Sequence, residues 1–190
     1  MCVSQFLTAP TNDECGGAVS LTVGSTCTPV ASVLPATLGA TASAAIPVCS
    51  AASPGTADDD VWYTFFTTPN TGLTNNITVT GSSTYNPVVQ LFSGVCGTLT
   101  AISCVNATGN GGTETISVSG LTTNTAYNIR VYHAGTGAAS GNFSICLFVS
   151  PPACPTGLNP ANGTQVVAAG TTLRRAYLIN RCYRLICYSE

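Results

Sequence analysis

A chain of 190 residues has room for one domain of ordinary size with flanking pieces, since domains cluster near about 100–150 residues. Only 5 basic and 7 acidic side chains occur and every basic one is Arg, which excludes a phosphate- or nucleic-acid-binding surface over most of the length. Up to Leu173 one base, Arg130, stands against six acids, whereas residues 174–190 hold four Arg and one Glu, so the chain has two compositions.

Residues 1–9 have neither a basic opening nor an apolar stretch long enough for a signal peptide, so an export signal is expected outside this stretch. From there to residue 150, β-branched and aromatic residues alternate with polar ones between Gly, Asn, Ser and Pro punctuation, and no segment sustains a helical period. Strands are predicted at Val19–Val23, Val61–Thr67, Asn76–Thr80, Val88–Phe92, Thr100–Cys104, Glu114–Val118, Ala126–Tyr132 and Gly141–Val149, separated by turns such as Gly109-Asn110-Gly111-Gly112. Eight strands suit an all-β fold, a two-sheet antiparallel sandwich of jelly-roll or Greek-key kind. In the strand around Arg130 the residues Tyr127, Ile129 and Val131 share one face, which puts Arg130 on the opposite, wetter one as a solvated side chain. No run approaches the 18 or so apolar residues of a membrane helix.

Ten Cys in a Lys-free chain, with no C-x-x-C pair and a single His, read as disulfides of an exported protein and not as a zinc or redox set. Residues 24–57 are small, Pro-punctuated and nearly uncharged, and a Cys27–Cys49 bridge would close them as a loop. Cys96 and Cys104 are spaced like two positions on adjacent strands joined by a tight turn, and Cys15–Cys146 would tie the first strand to the last. Cys2, Cys154, Cys182 and Cys187 stay unassigned.

Several patches act together: Pro10-Thr11-Asn12-Asp13-Glu14-Cys15, Asp59-Asp60-Val61-Trp62-Tyr63-Thr64-Phe65, Tyr85-Asn86-Pro87-Val88 through Cys96-Gly97, Tyr127-Asn128-Ile129-Arg130-Val131-Tyr132 and Gly141-Asn142-Phe143-Ser144-Ile145-Cys146. In order and spacing they resemble the prepeptidase-C-terminal-like β-sandwich modules of large secreted bacterial surface proteins, over about residues 10–150. The resemblance implies tandem arrays in adhesins and exported enzymes that use a C-terminal sorting domain. It implies that residues 1–9 close a preceding segment, and that 151–173 are a Pro-rich linker and the opening of a fibronectin-type-III-like domain. At residues 174–190 the expected continuation is replaced by an Arg-rich tail, read either as an artefact of the gene end or as a strand with Tyr177, Ile179, Tyr183 and Leu185 on one face.

Asp58, Asp59 and Asp60 form the only acidic cluster, with Asp58 and Asp60 on one face at strand spacing. Calcium is the cation such a cluster would take, with Asp13, Glu14 or Glu114 as further donors, and a solvated loop is the plainer alternative. In the modules it resembles, an acidic pair follows the position matched by Cys104, but Val105-Asn106-Ala107 stands here. Trp62, Tyr63, Tyr85 and Tyr132 are the candidates for an aromatic sugar platform, against core packing. A hydrolytic triad would have to use His133, and no Gly-x-Ser-x-Gly elbow accompanies it. Nearly all the acids sit in Asp13-Glu14 or Asp58-Asp59-Asp60 and suggest no glycosidase pair, so no enzymatic activity is expected.

The reading is a non-catalytic extracellular or cell-surface module serving as spacer, stalk or adhesive domain. Its expected partners are neighbouring modules, like subunits and surface glycans, with no cofactor beyond calcium. The alternatives are a filament or sheath subunit that pairs through its terminal segments, and a calcium-dependent or carbohydrate-binding module.

Overall fold

The computed structural model describes residues 8–31, 37–43, 49, 55–136, 141–151, 173–179 and 182–187. The chain divides into two compact units, Met1–Ser150 and Pro151–Glu190. In the first unit a 3-10 turn at Cys15–Gly17 precedes β1 (Val19–Ser20), β2 (Val30–Ala31), β3 (Val61–Phe66), β4 (Thr74–Gly81), β5 (Pro87–Ser93), β6 (Thr100–Val105), β7 (Thr113–Ser119), β8 (Ala126–His133) and β9 (Phe143–Ser150). One sheet has the order β1-β3-β8-β5-β6 and the other β2-β9-β4-β7. They form the expected all-β sandwich, with every predicted strand present within a few residues.

The core between the sheets follows from alternation. Val61, Tyr63 and Phe65 of β3, Val89 and Leu91 of β5, and Tyr127, Ile129 and Val131 of β8 meet Ile77, Val79, Ile116, Ile145 and Leu147 of the facing sheet, all buried. A fully buried aliphatic or aromatic side chain contributes about 1.5–3 kcal/mol, and the period of two puts every contributor of a strand on one side.

The first strand departs from expectation. Only Val19 and Ser20 pair with β3, and they do so in parallel. After Leu21, whose N–H donates to Thr64 O, the chain leaves that sheet and crosses to the other, where Gly24 bridges Phe148 in parallel. Its N–H donates to Leu147 O at 3.0 Å and its carbonyl accepts from Val149 N–H at 2.9 Å.

Among the described residues the disulfides are Cys15–Cys96, Cys27–Cys146 and Cys49–Cys104, so these six cysteines pair differently from the expected Cys27–Cys49, Cys96–Cys104 and Cys15–Cys146. Geometry gives the reason. The β5–β6 ladder ends at Ser93 opposite Thr100, so Cys96 lies in the turn while Cys104 lies four residues up β6, roughly 13 Å away at strand rise and beyond the 7 Å or so of Cα separation that a bridge spans. Cys15 packs with Trp62 and Phe92 on the outside of the five-stranded sheet, whereas Cys146 lies in the other sheet, opposite Thr78. The segment that begins at Cys27 and ends at Cys49 is therefore not closed on itself: it is riveted to β9 at one end and β6 at the other.

In the second unit β10 (Leu173–Ile179) and β11 (Cys182–Cys187) form an antiparallel hairpin. Tyr177 pairs with Arg184 and Leu178 with Tyr183, so the four apolar positions expected on one face are not register partners. Cys2 and Cys154, and any bridge of Cys182 or Cys187, lie outside the described residues.

Candidate functional site

The outer face of the five-stranded sheet, which alternation assigns to solvent, is dry. Trp62 of β3, Val88, Gln90 and Phe92 of β5, and Arg130 and Tyr132 of β8 point to it and all are buried. Cys15, Ala18 and Leu99 cover Trp62 and Phe92, while Cys49, Ala57, Cys104 and Ala134 cover Val88 and Tyr132.

Arg130 is the centre of this covered face. It is 3% exposed and not the solvated side chain that alternation suggested. Its Nε donates to Asp60 Oδ2 at 2.7 Å, Nη1 to Gln90 Oε1 at 3.2 Å and Nη2 to Ala57 O at 3.5 Å. The guanidinium lies 5.8 Å from the Trp62 ring centre and 5.3 Å from that of Tyr132, within cation–π range. The other oxygen of Asp60 accepts from Ser43 N–H at 2.8 Å, and Ser43 Oγ accepts from Trp62 Nε1 at 2.9 Å. One charged pair thus closes both onto the sheet and onto the loop above it.

The acidic cluster is dispersed by this arrangement. Asp58 is exposed, Asp59 and Asp60 are fully buried, and the expected shared face of Asp58 and Asp60 is absent because β3 begins only at Val61. Asp59 accepts from Thr37 Oγ1 at 2.7 Å and His133 N–H at 3.3 Å. Asp13 accepts from the N–H and hydroxyl of Thr41, and Glu14 is exposed beside the 3-10 turn. Glu114, on β7, accepts at Oε1 from Ala107 N–H, Thr108 N–H and the Thr108 hydroxyl. Among the described residues no three His, Cys, Asp or Glu converge as a metal group.

The aromatic candidates are packed and form no platform. Trp62, Tyr85 and Tyr132 are fully buried and Tyr63 nearly so; of the four aromatics on β3, Phe66 alone is exposed. Trp62 packs on Phe92, and Tyr85 lies between Phe143 and His133. Burial pushes the phenols of Tyr63 and Tyr132 up to about 12 and that of Tyr85 well above its ordinary value. His133, half-buried, is lowered by desolvation, and its Nδ1 accepts from Asn86 N–H at 3.0 Å.

Two concavities lie among the described residues. A groove of about 320 Å³ runs beside β1, β2 and β9, between Leu21, Val30, Ile145 and Leu147. A pocket of about 220 Å³ opens at one end of the sandwich, between the β3–β4 loop and the β7–β8 loop, with Asn75 among its lining residues. The pocket was invisible in the sequence because Thr, Asn and Gly in turns carry no distinctive spacing.

The model of a galactose binding domain-like family associated with type IX secretion matches residues 11–145. No curated protein matches the sequence.

Proposed function

The chain belongs to this galactose binding domain-like family, a premise that points to a secreted or cell-surface protein, and from it we propose that the chain is a non-catalytic module that transmits tension as a spacer or adhesive stalk. The observation that carries the reading is the Cys27–Cys146 bridge, which spans 119 positions of the sequence. It joins the start of the sandwich to its last strand. A pull on residues before Cys27 and after Cys146 runs through the bridge and leaves β2–β8 outside the covalent path.

The surrounding backbone supports the same reading. Gly24 and Phe148 lie in parallel beside the bridge, so tension on the entering and leaving chain loads the Gly24–Leu147 and Gly24–Val149 hydrogen bonds in shear. The motifs that resemble prepeptidase-C-terminal-like modules fit the same role within an array. His133, the only imidazole, accepts a backbone hydrogen bond at Nδ1 and packs at a tilt against Tyr85, which supports a structural role for it over a catalytic one. The test is to place the module between a cell-surface anchor and an adhesive head: the Cys27→Ser/Cys146→Ser variant should lower the flow rate at which cells detach while leaving static attachment unchanged. Equal detachment of the variant and the parent would remove the tension role.

A further inference from the structure

The three bridges among the described residues differ in what surrounds each sulfur. Cys27 lies in an exposed stretch, residues 25–29, between Gly24 and β2. Its partner Cys146 is buried, but it lines the groove beside β2 and β9 together with Thr26 and Thr28, and no charged side chain lines that groove. Cys96 is exposed as well, in the β5–β6 turn, yet its partner Cys15 packs against Trp62 and Phe92 and directly follows Asp13 and Glu14 in the chain. Cys49 is buried with Val88 and Tyr132, and half-buried Cys104 packs against the same cluster.

Thiol–disulfide exchange discriminates between such bridges. A thiolate attacks one sulfur in line with the bond, and the other departs as a thiolate that its surroundings must solvate. Attack on Cys96 expels Cys15 into an aromatic cluster with two carboxylates beside it in sequence, and attack on Cys104 expels Cys49 into an apolar cluster; both departures are disfavoured. Attack on Cys27 expels Cys146 beside a groove of about 320 Å³, which has room for water and brings the hydroxyls of Thr26 and Thr28. Opening this bridge leaves the sandwich folded, because Gly24 stays bonded to Leu147 and Val149, and Val30 and Ala31 stay paired with Ile145 and Ser144.

We propose that Cys27–Cys146 is a thiol-exchange site, at which a low-molecular-weight thiol of the glutathione class adds to Cys27. The incoming thiolate forms a mixed disulfide with Cys27 Sγ as the bond to Cys146 breaks, and Cys146 leaves with the electron pair and takes a proton from water. A second thiolate attacks the sulfur of the bound thiol, releasing Cys27 as a thiolate and the two small thiols as one disulfide. The bridge is thereby reduced to two thiols while two thiol molecules are oxidised. The mechanical consequence rests on the tension role proposed above: oxidised, the module holds its entry and exit together, and thiolated at Cys27 it admits β2–β8 to the loaded path.

Stepwise reduction of the folded full chain with glutathione tests the site. Free thiols are blocked first, newly opened ones are alkylated at intervals with a second reagent and located by peptide mapping, and near-ultraviolet circular dichroism follows the packing. Cys27 and Cys146 should open about tenfold faster than the other two bridges, with the glutathione adduct on Cys27 and the dichroism unchanged. The proposal is overturned by no opening at all, by Cys15–Cys96 or Cys49–Cys104 opening at the same pace, or by an adduct on Cys146. Reduction that proceeds only as the dichroism is lost overturns it equally. None of these readings involves load, so failure of the exchange site appears in the mapping and failure of the tension role in the detachment of cells.

Discussion

Arg130 shows what a single charge does when the fold encloses it. Its partner Asp60 is fully buried, and the ion pair, Gln90 and two aromatic rings form one closed set. Replacing one member of a buried pair leaves an uncompensated charge, which costs about 3–5 kcal/mol. Arg130→Met should lose that much in urea denaturation, and Arg130→Met/Asp60→Leu should lose less than either single change. Alternation correctly assigned Arg130 to the face opposite Ile129 and Val131. What the sequence concealed is that this face is covered, because covering residues such as Cys15, Ala18, Cys49 and Ala57 sit in small, turn-rich stretches that carry no periodic signal.

His133 titrates in the same covered region. Its folded pKa lies below the ordinary 6.5 because burial disfavours the imidazolium, so the unfolded chain takes up a proton first as pH falls. Stability contributed by the neutral ring is fully present above about pH 6.5 and declines as pH drops through the interval down to the folded pKa. Melting temperatures measured between pH 7.5 and 5 should fall, and His133→Gln should flatten that slope. An unchanged slope in the variant would place the titration elsewhere. At the alkaline end, the absorbance of Tyr63 and Tyr132 should ionise only near pH 12.

At the scale of elements, strands were legible and their fastening was not. β3, β5 and β8 declare themselves by dense β-branched and aromatic runs, and those runs reflect a sheet buried on both faces. Cysteine pairing depends on which loop lies over which strand, information that local spacing does not hold. Each bridge closes a long loop, of 81, 119 and 55 positions, so each removes about 4–5 kcal/mol of unfolded-state entropy in the chain-closure model. Peptide mapping without reductant should recover Cys15–Cys96, Cys27–Cys146 and Cys49–Cys104. The Cys49→Ser/Cys104→Ser variant should lose stability and admit protease to the cover of the five-stranded sheet. Glu114 fastens the β6–β7 connection through three donors to one oxygen, and Glu114→Gln should cost about 1–3 kcal/mol. Nothing in the spacing of Glu114 announced that role.

For the whole molecule, composition and alternation were enough for an all-β sandwich of exported type, because patterning and disulfide density are properties of the entire chain. The candidate site was not legible. Thr71 and Thr123 of the end pocket come from separate loops and Asn75 from β4, while the aromatic residues that drew notice in the sequence were spent on packing and Asp60 on Arg130. The molecule that results joins a buried sandwich core, a second buried layer outside one sheet, and a bridge between entry and exit.

That last feature can be read directly by stretching one molecule from handles attached before Cys27 and after Cys146. Under non-reducing conditions the chain should extend only by the short stretches outside the bridge. With reductant, which opens all three bridges, a step should appear that releases the bridged 119 positions, roughly 40 nm at about 3.4 Å per residue, and in the oxidised Cys27→Ser/Cys146→Ser variant the step should be shorter, because Cys49–Cys104 still closes 55 of those positions. A step of that length in the oxidised parent chain would contradict the account.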